Sequence, residues 1–252
     1  MISASVGFQC PDDVRGDQQA GRQARTSFGG RLSADSSRVT VVLVGLNVAV
    51  FLLQLARPGV DLAVQYGNLA LANDGSGQLI GVADGQPYRL LTAAFLHAGL
   101  FHLLSNMFAL IMIGPQLEAA LGRTRYLALY VLAALGGSTL SFLVSSPNQI
   151  GVGASGAIFG LFGAFYVVVR RLGGQTRPVL VLLGINLVIT FSVPIIDWRA
   201  HIGGLVTGGL VAFAFAYAPS TPRRDLVQAG ACLGVLAALV AAVVLRTQVL
   251  QG

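Results

Sequence analysis

The residues of this chain that could do chemistry are a serine and three histidines, all set in apolar surroundings. Ser155 lies in GVGASGAIFGLFGAF, residues 151–165, at the head of an apolar run. The chain has three histidines: His97 and His102 lie in LHAGLFHLLSNMFAL, and His201 lies in DWRAHIGGLVTGG. A serine becomes a nucleophile when a base removes its proton, and histidine is the usual base. Ser155 and His201 are therefore candidates for acyl-transfer chemistry.

His102 and Asn106 are four residues apart, so on a helix they share one face. Both side chains are suitable donors to a developing oxyanion. The alternative is that they bond a neighbouring helix and only hold the bundle together. For His97 the alternative to a functional role is neutral packing against a backbone carbonyl.

Ser155 also has a structural interpretation, because serine and glycine let membrane helices approach closely. Glycines surround Ser155 and recur after His201: Gly153, Gly156, Gly160, Gly163, Gly203, Gly204, Gly208 and Gly209. Such packing would also bring Ser155 and His201 within hydrogen-bond reach. We expect Ser155 near the start of its helix, where unpaired N–H groups and the helix dipole favour an oxyanion.

The elements that must position these residues are membrane helices. With 54% hydrophobic residues, 10% charged residues and a mean hydropathy of +0.73, the chain is too apolar for an ordinary soluble domain. About 20 apolar residues cross a bilayer core, and seven charge-poor runs qualify: 39–56, 101–121, 126–145, 153–169, 178–195, 200–218 and 226–245. The sequence predicts an all-α, polytopic membrane helical bundle of about seven transmembrane helices.

The orientation follows from arginine, since the chain has no lysine. With a cytoplasmic N-terminus, twelve arginines lie inside and only Arg57, Arg89, Arg199 and Arg246 lie outside, which is a positive-inside bias. We therefore expect a multi-pass protein of the plasma membrane. No secretory signal is visible in the polar first 38 residues, so the first span is expected to be its own anchor.

Several other function classes lack support in the sequence. A basic run with interleaved aromatic residues, which nucleic-acid binding would require, is absent. Cys10 has no nearby Cys or His to complete a zinc site, and its pairing with Cys232 is implausible by location. A transporter would require charges along a pathway or an inverted repeat, and neither is apparent.

Taken together, the motifs resemble those of the rhomboid family of intramembrane serine proteases. The matching stretches are HLLSN (102–106), GASG (153–156) and AHIGGLVTG (200–208), each on a different span and in the family's order. Supporting similarities are YRLLTAAFLHAGLFH and the pair Glu118 and Gly122. The resemblance covers roughly residues 39–218.

The resemblance implies Ser155 as nucleophile, His201 as general base, and Asn106, His102 and the Ser155 N–H around the oxyanion. It implies a tail at 1–38, expected to be disordered, a six-helix catalytic core at 39–218 and an additional C-terminal helix at 219–252. The 57–100 connection would lie partly in the membrane, and the fifth span with residues 191–198 would cover the site. The expected partners are transmembrane protein substrates and the lipid bilayer, without metal, nucleotide or other cofactor and without nucleic acid.

The chain departs from the family pattern at two positions. Phe159 stands where many relatives have tyrosine, and Tyr88 stands where many have tryptophan. A ring at residue 159 can still stack under His201. The alternative function is that of a catalytically inactive, rhomboid-like protein that binds membrane clients. Asp197 is the only carboxylate near His201, and we expect it in water or paired with Arg199 rather than in a triad.

Overall fold

The computed structural model describes residues 2–3, 8–9, 25–32, 35, 37–57 and 59–252. Cys10 and most of the predicted tail lie outside the described residues. Within them the α-helices are α1 Arg38–Ala56, α2 Leu62–Tyr66, α3 Arg89–Thr92, α4 Leu100–Leu121, α5 Arg123–Val144, α6 Ser155–Arg171, α7 Arg177–Ser192, α8 Trp198–Tyr217 and α9 Arg224–Gln251. Two short antiparallel pairs accompany them: β1 Ile2–Ser3 with β2 Phe8–Gln9, and β3 Ala72–Asn73 with β4 Leu79–Ile80. The all-α prediction is confirmed.

The seven long helices coincide with the seven predicted spans. In the described part of the chain, five of them (α1, α4, α5, α8 and α9) are long and apolar enough to cross a membrane. Helices α6 and α7 are shorter, with 17 and 16 residues. The molecule is thus a membrane helical bundle in which two short helices stand among five longer ones.

Helix α6 is the centre of the bundle, and glycines let α8 approach its backbone. Residues 156–164 of α6 are all buried. A methyl group on Gly204 would overlap the carbonyl oxygen of Gly156, and one on Gly208 would overlap that of Gly160. Helices in lipid gain little from the hydrophobic effect when they associate, so close van der Waals packing of this kind holds them together.

Glycines also let the backbone of α5 approach that of α8 closely. A methyl group on Gly137 would lie 2.6 Å from the carbonyl oxygen of Ala200, and one on Gly203 would lie 2.5 Å from that of Gly136. Helix α8 therefore lies in a groove whose two walls are the glycine-lined faces of α5 and α6.

The carboxylate of Glu118 joins the end of α4 to the start of α1. It accepts hydrogen bonds from the backbone N–H groups of Val39 and Thr40, both at 2.9 Å, and from Thr40 Oγ1 at 3.0 Å. A helix N-terminus carries unpaired donors and partial positive charge, so a buried carboxylate is stabilised there. Glu118 thus fixes where α1 begins against the bundle.

The long connection between α1 and α4 is held by the buried guanidinium of Arg89. Its Nε donates to Gln86 Oε1 at 2.6 Å, and its Nη1 donates to the carbonyl oxygens of Val64 at 2.7 Å and Gly67 at 3.1 Å. Arg89 is 2% exposed. Three acceptors around one cation tie the start of the connection to its end.

Residues 25–32, which fall inside the predicted tail, pack against the helices. Phe28 is 2% exposed and belongs to the main hydrophobic core. Gln228 Nε2 donates to the carbonyl oxygen of Phe28 at 3.1 Å. This segment closes the bundle at the end where α4 meets α5.

The last helix, α9, runs between the two ends of the bundle. Near its start, Asp225 pairs with Arg125 of α5 at 2.7 Å. At its end, Gln251 Nε2 donates to the carbonyl oxygen of Ala83 in the long connection at 2.6 Å. Helix α9 therefore contacts both the α4–α5 end and the connection at the opposite end.

The α6–α8 contact can be tested with two glycine-to-alanine variants of α8. Gly204→Ala places a methyl group against a backbone oxygen that cannot rotate away, so we expect destabilisation of about 1–3 kcal/mol, typical of overpacking. Gly209→Ala is the control, because no atom lies within 4 Å of the added methyl group, and alanine is the better helix former by roughly 0.5–1 kcal/mol. Denaturation of the purified protein in detergent measures both. Equal effects would contradict the proposed role of the close contact.

Candidate active site

Ser155 is the first residue of α6, which agrees with its predicted position near the start of the helix. The chain reaches it through Gly153, whose φ of +130° lies in a region that favours glycine. The first intrahelical acceptor is the Ala154 carbonyl oxygen, which receives the Ile158 N–H at 3.0 Å. In the part of the chain that the structure describes, the N–H of Ser155 has no hydrogen-bond partner. This free donor and the positive end of the helix dipole lie beside the Ser155 hydroxyl.

His201 lies in the first turn of α8 and is held on two sides. Its ring stacks on Phe159, with centroids 4.0 Å apart and planes inclined by 15°. Its Nδ1 is 2.7 Å from Thr190 Oγ1 of α7. His201 is 6% exposed. Among the described residues, its Nε2 has no hydrogen-bond partner. The stacked phenyl ring confirms the arrangement expected from Phe159.

Ser155 and His201 are brought together by the α6–α8 contact. Their neighbours Gly156 and Ala200 touch, since a methyl group on Gly156 would lie 3.2 Å from the carbonyl oxygen of Ala200. Phe159, one turn after Ser155, lies under the His201 ring. Within the described residues no hydrogen bond joins Ser155 Oγ to His201, so both reacting atoms remain free for other partners.

His102 approaches the same point from α4. A methyl group on Gly153 would lie 2.8 Å from His102 Nε2 and 3.7 Å from Ser155 Oγ. Asn106 is one turn further along α4, and its Nδ2 donates to the carbonyl oxygen of His102 at 2.8 Å. The two residues share one face, as predicted. Among the described residues, the side-chain hydrogen bond of Asn106 goes to His102.

His97 lies just before α4 and packs behind His102, with the two rings edge to face at 5.1 Å. Its backbone N–H donates to Gln54 Oε1 at 3.0 Å, and its carbonyl oxygen accepts from Gln54 Nε2 at 3.2 Å. Burial lowers the pKa of His97 to about 4, so the ring is neutral near pH 7. In the described part of the chain neither ring nitrogen has a hydrogen-bond partner. The ring thus packs in its neutral form, with the backbone of Phe95 among its neighbours.

Asp197 does not orient His201. Its Oδ1 accepts from the Arg199 N–H at 3.1 Å as the cap of α8, and its Oδ2 accepts from Ser141 Oγ of α5. The expected pairing with Arg199 was wrong, because the carboxylate is half-buried against α5, while the guanidinium of Arg199 stacks over Trp198 at 5.0 Å. Asp197 fixes the start of α8, and His201 takes its polar partner from elsewhere.

That partner, Thr190, was missed by the sequence analysis. It lies in an apolar helix whose other described polar side chains include Asn186, one turn earlier. A threonine four residues after an asparagine does not by itself indicate a functional site, since either side chain can hydrogen-bond to a backbone carbonyl of its own helix. Only the packing of α7 on α8 identifies the hydroxyl as part of the site.

Comparisons with known proteins give one consistent result. The family model of the Rhomboid domain matches residues 84–218, more than half of the chain. YdcA from Bacillus subtilis (strain 168) is 36% identical over 143 residues, which cover 55% of this chain and 72% of YdcA. Rhomboid protease GluP from the same organism is 40% identical over 138 residues, covering 53% of this chain and 27% of GluP. RHOMBOID-like protein 5 from Arabidopsis thaliana is 36% identical over 146 residues, covering 55% of this chain and 47% of that protein. The chain thus spans less than half of GluP and of the Arabidopsis protein.

The turn before Ser155 generates a prediction about Gly153. In Gly153→Ala the methyl group would meet the His102 ring at 2.7 Å, and the backbone would be strained by about 1–3 kcal/mol. We expect a lower melting temperature and a displaced His102 ring, detected by NMR of that imidazole. Gly151→Ala is the control, because its nearest contact would be an ordinary 3.6 Å. An unchanged His102 signal in Gly153→Ala would contradict this geometry.

Proposed function

Because this chain belongs to the rhomboid family, we propose that it is a serine endopeptidase that cleaves transmembrane segments of other proteins through a Ser155–His201 dyad. Its relatives include a named protease, which supports intramembrane proteolysis as the activity. The observation that carries the proposal for this chain is that Phe159, one turn after Ser155, lies under the His201 imidazole, which is held at Nδ1 by Thr190.

The proposed first step is acylation. His201 Nε2 removes the proton of Ser155 Oγ while Oγ attacks the scissile carbonyl carbon. The carbonyl oxygen becomes an oxyanion, and the C–N bond then breaks as His201 returns the proton to the leaving amine. In the second half His201 takes a proton from a water molecule whose oxygen attacks the acyl carbon. The bond from that carbon to Ser155 Oγ then breaks, and His201 returns the proton to Oγ. No metal or cofactor enters these steps.

The proposed oxyanion site lies at the start of α6. The Ser155 N–H is available there, and the positive end of the helix faces the negative charge. His102 is near enough to Ser155 to contribute a donor, since both border Gly153. Asn106 has a second Nδ2 hydrogen besides the one given to the His102 carbonyl. We assign both side chains to the oxyanion.

The proposed substrates are transmembrane helices with small residues before the cut and with segments that unwind easily. Cleavage requires the substrate backbone to be extended where it meets Ser155, because a carbonyl in a substrate helix is already hydrogen-bonded within that helix. The arginine distribution supports a plasma-membrane protein with its N-terminus in the cytoplasm and the Ser155 end of α6 facing outward.

The alternative is an inactive family member that binds membrane clients. Loss of the serine or the histidine would favour it, and this chain has both. A protein that binds a transmembrane reporter in liposomes but leaves it intact would support this alternative.

The dyad makes a prediction for three variants assayed on one reconstituted transmembrane reporter. Ser155→Ala and His201→Ala remove the nucleophile and the base, so cleavage is expected to disappear. Asp197→Asn should keep most of the rate, because the amide oxygen can still cap α8 and the carboxylate does not contact the imidazole. Neutralising a true triad aspartate costs about 10⁴-fold. A loss of that size in Asp197→Asn would refute the dyad.

The oxyanion assignment makes a separate prediction for Asn106. Removing one such donor typically lowers the rate about 10²–10³-fold, or roughly 3–4 kcal/mol, so Asn106→Ala should be slow yet folded. Asn47→Ala is the matched control: Asn47 is also buried and also donates to the carbonyl four residues earlier, at 2.7 Å, but it lies on α1. If both variants lose stability and activity alike, Asn106 is a packing residue.

A further inference from the structure

Thr190 occupies an unusual position on α7. This helix packs loosely, and most of its large apolar side chains are exposed. Of its described residues only Val179 and Thr190 are buried. The hydroxyl of Thr190 is therefore a polar group placed inside the bundle by a helix that otherwise contributes little to the core.

The hydroxyl of Thr190 touches two partners of different kinds. Its Oγ1 is 2.7 Å from the carbonyl oxygen of Asn186 and 2.7 Å from Nδ1 of His201. A carbonyl oxygen can only accept, so the single hydroxyl hydrogen points to Asn186. The lone pairs of Oγ1 then face His201, and Nδ1 must supply the hydrogen of that bond.

This arrangement decides which tautomer His201 adopts. A neutral imidazole carries one proton, and the hydrogen bond at one nitrogen determines the state of the other. With the proton on Nδ1, the lone pair is on Nε2, the nitrogen that has no partner among the described residues. A general base acting on Ser155 Oγ must present a lone pair.

We propose that Thr190 is a positioning residue that holds His201 with its proton on Nδ1 and its lone pair on Nε2. This inference rests on the proposed function of His201 as the base for Ser155. It makes the base dependent on α7, because the acceptor is lost whenever α7 moves away from α8. Substrate entry that displaces α7 would then have to be followed by its return before acylation.

The direct test is ¹⁵N NMR of the full-length protein labelled at histidine, whose three rings are assigned by single substitutions. The parent is expected to show His201 protonated at Nδ1 and unprotonated at Nε2. Thr190→Val keeps the shape but removes the acceptor, so a mixture of tautomers should appear. Thr190→Ser should restore the parent spectrum. Unchanged His97 and His102 signals show that the variants are folded.

Two NMR results would overturn the inference. One is a parent His201 that carries its proton on Nε2. The other is a His201 spectrum that Thr190→Val leaves unchanged. Neither result depends on whether the protein cleaves anything.

A second measurement links the tautomer to reactivity through the rate at which a fluorophosphonate labels Ser155. Thr190→Val should react about 3- to 10-fold more slowly, the effect of one neutral hydrogen bond, and Thr190→Ser should react at the parent rate. Thr221→Val, the same substitution at an exposed threonine between α8 and α9, is the control and should also match the parent. Parent-like labelling of Thr190→Val would overturn the role in positioning the base. A parent that is not labelled at Ser155 would count against the proposed function, and the NMR comparison would still decide the Thr190 contact.

Discussion

The backbone contact between α6 and α8 is the constraint on which the rest of the structure depends. Gly156 and Gly160 of α6 face Gly204 and Gly208 of α8, with no room for a side chain between them. The same approach sets Phe159 under His201 and brings Ala200 against the start of α6. A separation larger by one methyl group would move the imidazole away from Ser155. In this chain the packing that holds the bundle and the geometry proposed for catalysis are the same contact.

Several polar side chains of the long helices bond within their own helix, which satisfies them in a bilayer. Asn47, Asn106, Asn186 and Thr190 each donate to the carbonyl four residues earlier. Against that background the start of α6 differs. The Ser155 N–H, the Ser155 hydroxyl and His201 Nε2 lie there without hydrogen-bond partners among the described residues. Unsatisfied donors and acceptors of this kind are destabilising unless water or a substrate forms hydrogen bonds with them.

The sequence predicted the seven long helices and a position for Ser155 near the start of its helix, because both follow from local patterns of apolar residues and glycine. The stacking of Phe159 on His201, which the family resemblance implied, was also correct. The partner of His201 was not predicted, because Thr190 and His201 meet through the packing of two helices. The surroundings of Asp197 were missed for the same reason: Ser141 lies 56 residues away in the chain.

A hydroxyl as the partner of His201 suits a site surrounded by apolar helices. A carboxylate there would have to be buried beside a neutral imidazole, and an uncompensated buried charge is expensive. Thr190 is neutral, and its hydroxyl donates its only hydrogen to a carbonyl oxygen of its own helix. It can therefore accept from Nδ1 without bringing a charge into the bundle. Such an acceptor stabilises an imidazolium less than an aspartate would. In the proposed mechanism the helix dipole and the oxyanion donors must therefore supply more of the transition-state stabilisation, and those groups are gathered where α6 begins.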